Sequence, residues 1–577
     1  MDDLSIVIVG QAGQGIQTVE EFMVSILKIT GYNVFATKEY MSRVRGGMNS
    51  TELRIGSGKK RVRAYIERID LLIPLHKNAI EHVKHRISKL NTAILIDPDM
   101  IDTKNYTEYN CIEVPFTKIQ KNIGLKFINM FAIGVLSGIF KIPKETVEFY
   151  LKIRFELKGE SVLSKNYNAL NKGYDVGEKV KYNVPEMEKN TNVANEILLD
   201  GSQTMGLGVI AGGCNFISAY PMSPSTGTLV FVAQHSKEFG IVVDQAEDEI
   251  AAINKAIGAW YAGARAIAST SGGGFALMTE GLSLAGMIES PLVIHLAQRP
   301  GPATGLPTRT AQADLNLALY AGHGEFHRII FAPGSIEQLF LLVQKAFNIA
   351  DKYQIPVFIL TDQYLIDTSY NVSLDEMYIV GVDHAFVKTQ SDYKRYAYTE
   401  NGISPRGIPG LGSGFVRVDS DEHDEWGHIT EDLRNTRAKM MDKRIHKKGN
   451  TIARLESPIP LTPFGSTEFD ILIVCWGSSF LTVKEAVEDL NHPKLACVHF
   501  SQVYPLPKET TSLLEKANTI LLIEGNSTGQ FVKLLKLYAN IEIPTSQLYL
   551  KSNGEPFSVE EVKKFISLHL KKRGKKD

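Results

Sequence analysis

Short apolar runs alternate with helix-period stretches along most of this chain, and the rhythm fades in two places. In the first part, 1–184, residues 4–9 read as a buried strand and an amphipathic helix follows to about Thr30. Strand-like runs recur at 33–36, 71–74 and 93–97 with helical stretches between, which predicts a parallel α/β sheet with crossover helices. A polar stretch, 185–195, leads into a second part, 196–380. There 266–269, 292–296, 329–332 and 357–360 read as buried strands, separated by helical patterns, notably 250–262 and 336–351. Over 381–462 the periodicity gives way to aromatic, Pro and Gly residues and a charged block at 419–432, a connector with one helix near 430–447. It returns in 463–577 as strand 470–475, helix 482–489, strand 496–500, helix near 510–517 and strand 519–524. The predicted class is α/β and multidomain.

A chain of 577 residues with 44% hydrophobic and 22% charged residues has the length for several domains and the apolar content for a core in each. A formal net charge of −1 offers no field for nucleic acid or a membrane surface, and the basic run 571–576 reads as a solvated end. Asp2 and Asp3 precede a first apolar run too short for a signal peptide, and no stretch approaches transmembrane length. Cys111, Cys214, Cys475 and Cys497 lie far apart with no Cys-x-x-Cys pair, so no iron–sulfur or zinc framework is expected from this chain. Cys214 and Cys475 sit in apolar contexts that predict buried thiols, and a reducing cytoplasm fits.

The most informative segment is Ser218-Ala219-Tyr220-Pro221-Met222-Ser223-Pro224-Ser225-Thr226. Each X-Pro step pushes the preceding residue toward extended backbone, so Met222-Ser223 reads as a stiff loop. Ser223, Ser225 and Thr226 then offer hydroxyls and N–H groups at a helix start, as an ordinary cap or as a hold for an anionic substrate. Upstream, Gly10-Gln11-Ala12-Gly13-Gln14-Gly15 joins a strand to a helix; it is either a phosphate cradle or a tight turn without a ligand, and it lacks the dinucleotide spacing. Arg43-Val44-Arg45-Gly46-Gly47 suits an anion, a subunit contact or a solvated loop. In Asp244-Gln245-Ala246-Glu247-Asp248-Glu249, Glu247 and Asp248 complement the dipole of the helix that follows. Glu249 reads either as part of that helix start or as a carboxyl entering a desolvated pocket, where it becomes a proton-sharing partner rather than a fixed anion. The loop 298–310 follows an apolar strand, where ligands bind in open α/β sheets, and its Arg299 and Arg309 suit a carboxylate or a subunit contact. Asp421-Glu422-His423-Asp424-Glu425-Trp426-Gly427-His428 has metal-ligand residue types, yet no helix-borne His-Glu-x-x-His order, and it reads as a polar interdomain loop.

Together these segments resemble the 2-oxoacid:ferredoxin oxidoreductases, in particular the alpha subunit with an N-terminal gamma-type domain, as in the 2-oxoglutarate enzymes. Tyr220 to Thr226 is similar to the family's Tyr-Pro-Ile-Thr-Pro-Ser-Thr/Ser block, with Ser223 where threonine is more usual. Glu247 to Ala252, Ser269 to Phe275, and Gln298-Arg299 through Gln312-Ala313-Asp314-Leu315 resemble further blocks in family order. Gly13-Gln14-Gly15 and Arg43 to Gly47 are similar to the gamma domain; 469–479 and 524–530 are similar to the C-terminal domain. The resemblance implies a gamma-type domain at 1–184, a thiamine diphosphate pyrimidine-binding domain at 196–380, a connector at 381–462 and a transketolase-like domain at 463–577.

It also implies oxidative decarboxylation of a 2-oxoacid to an acyl-coenzyme A, with coenzyme A as co-substrate and electrons passed to ferredoxin. Thiamine diphosphate would be shared with a beta subunit that holds the Mg2+ and a [4Fe-4S] cluster, in a heterodimer or a dimer of heterodimers. By motif position Glu249 would bond the cofactor's pyrimidine ring beside Tyr220 and Pro221. Ser223 and Arg299 would hold the oxoacid, with Thr308 and Arg309 as further substrate contacts. Pyruvate or branched-chain oxoacids, a non-redox thiamine-dependent synthase, and a nucleotide-binding scaffold built on Gly10–Gly15 are the alternatives.

Overall fold

The computed structural model describes residues 2–11, 13–41, 47–123 and 127–573. Ala12, Arg43 and Arg45 lie outside them. The chain forms two compact units, Met1–Leu199 with Asp367–Glu376 and Ser558–Glu560, and Asp200–Ile366 with Met377–Phe557 and Glu561–Asp577.

The first unit is built on an eight-stranded sheet. Asp3–Gln11 is central, and the run Ile6 to Val9 is fully buried. Leu71–Pro74, Ala93–Ile96 and Asn110–Glu113 extend the sheet in parallel on one side. On the other side the expectation of an all-parallel sheet is corrected. Met48–Gly56 lies between Asp3–Gln11 and Asn33–Glu39 and pairs antiparallel with both, and Ser369–Val372 adds antiparallel to Asn33–Glu39. Met48–Gly56 is a buried strand with charges in its middle. Glu52 meets Arg86 at 2.5 Å, and the Arg54 Nε donates to Asp3 at 3.0 Å, each charge matched by a partner distant in sequence. The turn after Asp3–Gln11 is closed by its own glutamine: the Gln14 Oε1 accepts from the Gln11 N–H at 2.6 Å, and its Nε2 donates to Leu75 O. The helix Ile16–Ile29 follows.

The second unit carries a seven-stranded sheet in the order 502–504, 329–331, 356–362, 292–298, 266–271, 216–219, 242–245. All pairings are parallel except that of Gln502–Tyr504, which adds antiparallel at one edge. Strand order reverses between Phe216–Ala219 and Ala266–Ser271: the chain leaves the first toward Val242–Gln245 and leaves the second toward Leu292–Gln298. The crevice outside the carboxyl ends of strands at such a switch point is the preferred ligand position in open α/β sheets. The middle of the sheet is pinned by His295, whose Nδ1 meets the Ser269 hydroxyl and whose Nε2 meets the Thr361 hydroxyl, both at 2.9 Å. Burial pushes that imidazole down to about 3, so it bridges three strands as a neutral group.

A five-stranded sheet built from Phe464–Gly465, Leu495–Phe500, Ile471–Trp476, Thr519–Glu524 and Leu548–Leu550 shares one apolar core with the seven-stranded sheet. Cys214, Cys475 and Cys497 are buried thiols. The connector contains a parallel strand pair, Phe386–Thr389 with Arg406–Gly412, and a helical run through 433–452. That run is π-wound over Asp442–Lys447, and this winding brings residues five apart onto one face. Lys443 and Lys448 accordingly both reach the buried Glu289, at 2.7 and 2.5 Å, and Arg395 donates to the Glu289 carbonyl. Glu289 sits at φ 50, a left-handed conformation that costs a non-glycine residue about 1–2 kcal/mol. The polar block is also absorbed into this packing: Glu422 pairs with Arg444 and Arg437, and the ring of His423 lies on that of Tyr396.

Although burial opposes it, the two ammonium groups hold the Glu289 carboxyl well below the usual carboxylate range. A depressed acid stabilises the fold above its unfolded-state pKa, and that contribution is lost as pH falls below it. Glu289→Gln leaves two buried cations unpaired and is expected to cost about 3–5 kcal/mol in urea unfolding at pH 7. The difference from wild type should shrink as the pH is lowered below about 4.

Candidate active site

Four chain segments meet at the carboxyl ends of the strands beside the switch point. The loop after Phe216–Ala219 carries Tyr220, Pro221 and Ser223 and enters a helix, Thr226–Phe239. Ser225 precedes that helix, but its hydroxyl turns back to donate to Met222 O at 2.7 Å and does not cap the helix N-terminus. Tyr220 is exposed, Pro221 and Ser223 are half-buried, and the Ser223–Pro224 peptide is cis.

The helix after Val242–Gln245 is Glu249–Tyr261. Asp248 caps it, accepting from the Ala251 N–H at 2.7 Å, and Glu247 lies outside at 3.0 Å from Lys255. Glu249 is the first helical residue, and it is only 4% exposed. Its Oε1 is closed off from solvent and has no hydrogen-bond partner among the described residues. Asp248 supplies the helix cap, and Glu249 keeps an acceptor unused by the described residues. Directly opposite lies Gly274, just after Ala266–Ser271. A Cβ on Gly274 would stand 2.5 Å from the Glu249 Oε1 and 2.2 Å from the Thr270 hydroxyl. The close approach requires glycine there.

The fourth segment follows Leu292–Gln298. Arg299 is half-buried, and its Nη1 donates to the Ser223 carbonyl at 2.7 Å, so two residues 76 positions apart in the chain are in direct contact. Burial holds the Arg299 guanidinium below its ordinary value, opposed by the nearby Asp314 carboxylate. Thr308 and Arg309 lie further along the same loop, with the Arg309 Nη1 on the Thr308 carbonyl and the neighbouring Thr310 N–H on Gly554 O. Gln312 anchors the end of the loop: its N–H donates to Gly525 O, its Oε1 accepts from the Gly525 N–H, and its Nε2 donates to Trp476 O, each at 2.7 Å.

Sequence reasoning passed over Asp314 as a site residue. Its N–H donates to Gln298 Oε1, and its Oδ2 is closed to solvent without a partner among the described residues. A Cβ on Gly272 would stand 2.4 Å from that oxygen. Burial pushes the Asp314 carboxyl up to about 6 against the pull of Arg299. No group of three or more His, Cys, Asp or Glu side chains able to hold a metal occurs among the described residues.

The geometry is that of a doubly wound domain with buried acids at its switch point, and it coincides with a thiamine diphosphate-binding domain. Residues 207–443 match the family described as pyruvate flavodoxin/ferredoxin oxidoreductase, thiamine diphosphate-binding. Residues 5–176 match the family described as pyruvate ferredoxin/flavodoxin oxidoreductase. The chain belongs to the 2-oxoacid:ferredoxin oxidoreductase alpha-subunit family. It is 31% identical to the 2-oxoacid:ferredoxin oxidoreductase subunit alpha of a Sulfolobus species, over 98% of this chain and 96% of the relative. It is 26% identical to the 2-oxoglutarate oxidoreductase subunit KorA of Mycobacterium tuberculosis, over 99% of this chain and 92% of that one. The structure of the 2-oxoglutarate:ferredoxin oxidoreductase from Magnetococcus marinus, with 2-oxoglutarate, coenzyme A and succinyl-CoA bound, is 28% identical. It superposes with a TM-score of 0.90 over 98% of this chain and 99% of that one.

Gly274→Ala tests the close approach. Its methyl group must displace the Glu249 carboxyl, so 2-oxoacid-dependent acceptor reduction by the assembled enzyme is expected to fall at least about tenfold, the lower end of the loss that misplacing a positioned group causes. Circular dichroism should show the fold retained; wild-type activity would mean that Glu249 has room to move.

Proposed function

We propose that this chain is the alpha subunit of a heteromeric enzyme that oxidatively decarboxylates 2-oxoglutarate to an acyl-coenzyme A and carbon dioxide, with electrons passed to ferredoxin. The observation that carries this reading is the contact of Arg299 with the Ser223 loop at a switch point that also holds Glu249 with an unused, buried Oε1. The preference for 2-oxoglutarate is supported by the KorA relatives and by the Magnetococcus enzyme.

The residues present fit thiamine diphosphate. A buried carboxyl oxygen without a protein partner is an unmet hydrogen bond, and burying one is costly unless a ligand meets it. Glu249 would hold the cofactor's pyrimidine ring, with Tyr220 and Pro221 on the exposed side of the crevice. When bound, thiamine diphosphate supplies the electron sink for loss of carbon dioxide. Glu249 would offer its Oε1 to share a proton with a nitrogen of that ring. Arg299 orients the oxoacid carboxylate and is itself fixed by the Ser223 carbonyl, so its remaining N–H groups face the substrate at little further cost in order. The Ser223 hydroxyl faces the substrate without the methyl group of a threonine, which leaves more space at that wall. Thr308 and Arg309 contribute further substrate contacts.

The diphosphate, Mg2+ and a [4Fe-4S] cluster belong to a beta subunit, with assembly as a heterodimer or a dimer of heterodimers in the cytoplasm. Among the described residues no helix is long and apolar enough to cross a membrane.

The test is co-purification with the beta partner, then assay of a panel of 2-oxoacids with coenzyme A and ferredoxin or a dye. Highest kcat/KM on pyruvate or a branched-chain oxoacid would reassign the substrate. In the complex, Glu249→Ala is expected to lower acceptor reduction by at least about a hundredfold, the scale of a lost proton-transfer partner. Arg299→Ala should raise KM for the oxoacid by about thirtyfold or more, since removing one partner of a charge-assisted contact costs about 2–5 kcal/mol. An unchanged KM would remove Arg299 from the substrate site.

A further inference from the structure

The five-stranded sheet has a switch point of its own. Leu495–Phe500, Ile471–Trp476, Thr519–Glu524 and Leu548–Leu550 run parallel in that order. The chain leaves Ile471–Trp476 toward one edge and leaves Thr519–Glu524 toward the other, so the crevice at the carboxyl ends of these two strands is where such a sheet takes a ligand. That position is filled from within the chain. Gln312 is 3% exposed and bonded to both strand ends. Its N–H and Oε1 meet the carbonyl and N–H of Gly525, its Nε2 meets the Trp476 carbonyl, and its own carbonyl accepts from the Asn526 side chain at 3.0 Å. A Cβ on Gly477 would stand 2.8 Å from the Gln312 Nε2, so glycine makes room for the amide. The flanking residues are gripped from the same side: the Thr310 N–H donates to Gly554 O at 3.1 Å, and the Gln530 Nε2 donates to Ala313 O at 2.7 Å.

From Gln312 the grip reaches Arg299 through the neck of the loop. Just past Gln312, the Asp314 N–H donates to the Gln298 Oε1 at 3.0 Å, and the Gln298 Nε2 donates to Thr361 O at 3.2 Å. Gln298 immediately precedes Arg299. Beyond the neck the loop closes on itself: the Leu306 N–H donates to Pro300 O at 2.9 Å, and a Cβ on Gly305, at φ 53, would stand 1.8 Å from that carbonyl. A loop closed in this way follows its base. We propose that Gln312 is a positioning residue: as an internal ligand at the switch point of the C-terminal sheet, it fixes the base of the loop and thereby the place of the Arg299 guanidinium. The inference rests on the proposed assignment of Arg299 to the oxoacid carboxylate. The Ser223 carbonyl holds the guanidinium itself, while Gln312 holds the backbone from which it projects. This order is in place before the oxoacid arrives, which lessens the freedom lost on binding.

The experiment uses the assembled alpha–beta enzyme with saturating coenzyme A and acceptor. It measures KM and kcat for 2-oxoglutarate in wild type, Gln312→Ala, Arg299→Ala and the double variant. Gln312→Ala is expected to raise KM about tenfold, less than the loss from displacing a positioned group by about 1 Å, with kcat and the KM for coenzyme A unchanged. In the Arg299→Ala background the same substitution should raise KM no further, because both changes act through one guanidinium; independent effects would multiply. A wild-type KM in Gln312→Ala overturns the proposal. So do multiplied effects in the double variant, which a merely structural role would give. Gln312→Glu matches the glutamine in size and keeps an acceptor for the Gly525 N–H, but it sets a carboxylate oxygen against the Trp476 carbonyl, and it too should raise KM. If neither variant assembles with the beta subunit, Gln312 holds the fold rather than the loop and the proposal fails. Arg299→Ala separates the two inferences. If it leaves KM unchanged, the substrate assignment itself fails; if it raises KM while Gln312→Ala does not, only the positioning role fails.

Discussion

The approach of two carboxyl groups to one glycine segment governs the geometry of the central domain. Glu249 meets Gly274, and Asp314 meets Gly272, at distances that leave no room for a Cβ at either position. Both acids are thereby carried to the carboxyl end of Ala266–Ser271, one of the two strands that flank the switch point. That strand cannot drift, because the neutral imidazole of His295 ties it through Ser269 and ties Pro356–Asp362 through Thr361. The register of the sheet thus sets where the acids stand. The site inherits its precision from the core rather than from the loops that surround it.

Two kinds of buried acid stand in contrast among the described residues. Glu289 and Asp351 are buried as deeply as Glu249, yet each is matched by two cations: Lys443 and Lys448 for the first, Arg265 and Arg406 for the second. Such acids hold segments together through their ion pairs. Glu249 and Asp314 keep an oxygen for which the described protein supplies no partner. An acceptor left open in a closed crevice costs stability unless a ligand completes it, which is the pattern of a binding site rather than of a structural clamp.

Much of this was legible in the sequence, for a physical reason: a strand buried on both faces must be apolar along its length. The runs at 71–74 and 519–524 became strands with those same bounds, and the others differ by a few residues at their ends. Met48–Gly56 was not legible. Its buried positions include Glu52 and Arg54, whose partners Arg86 and Asp3 are remote in the chain, so local periodicity reads it as polar. The burial of Lys443 and Lys448 in the connector was likewise not legible, because the buried Glu289 that neutralises them lies over 150 residues earlier. At the candidate site, the local settings of Tyr220, Ser223, Glu249 and Arg299 were legible as a stiff turn, a helix start and a strand end. Asp314 was not, since what distinguishes it is an unfilled acceptor, and that property exists only once the chain has folded.

The Ser223 position shows how the fold divides holding from selecting. Arg299 is attached to the Ser223 carbonyl, a backbone group that any residue at 223 would offer. The side chain at 223 can therefore vary without disturbing the guanidinium proposed to meet the substrate's carboxylate. Under the proposed roles, a family that shares one carboxylate chemistry while accepting different side chains is served by this separation: the arginine is held by the main chain, and the neighbouring wall is a side chain that mutation can change. Serine in place of threonine alters only the second of these. A change of substrate preference in this chain is consequently expected to trace to residue 223 and its neighbours in the crevice, while the carboxylate grip proposed for Arg299 is left unchanged.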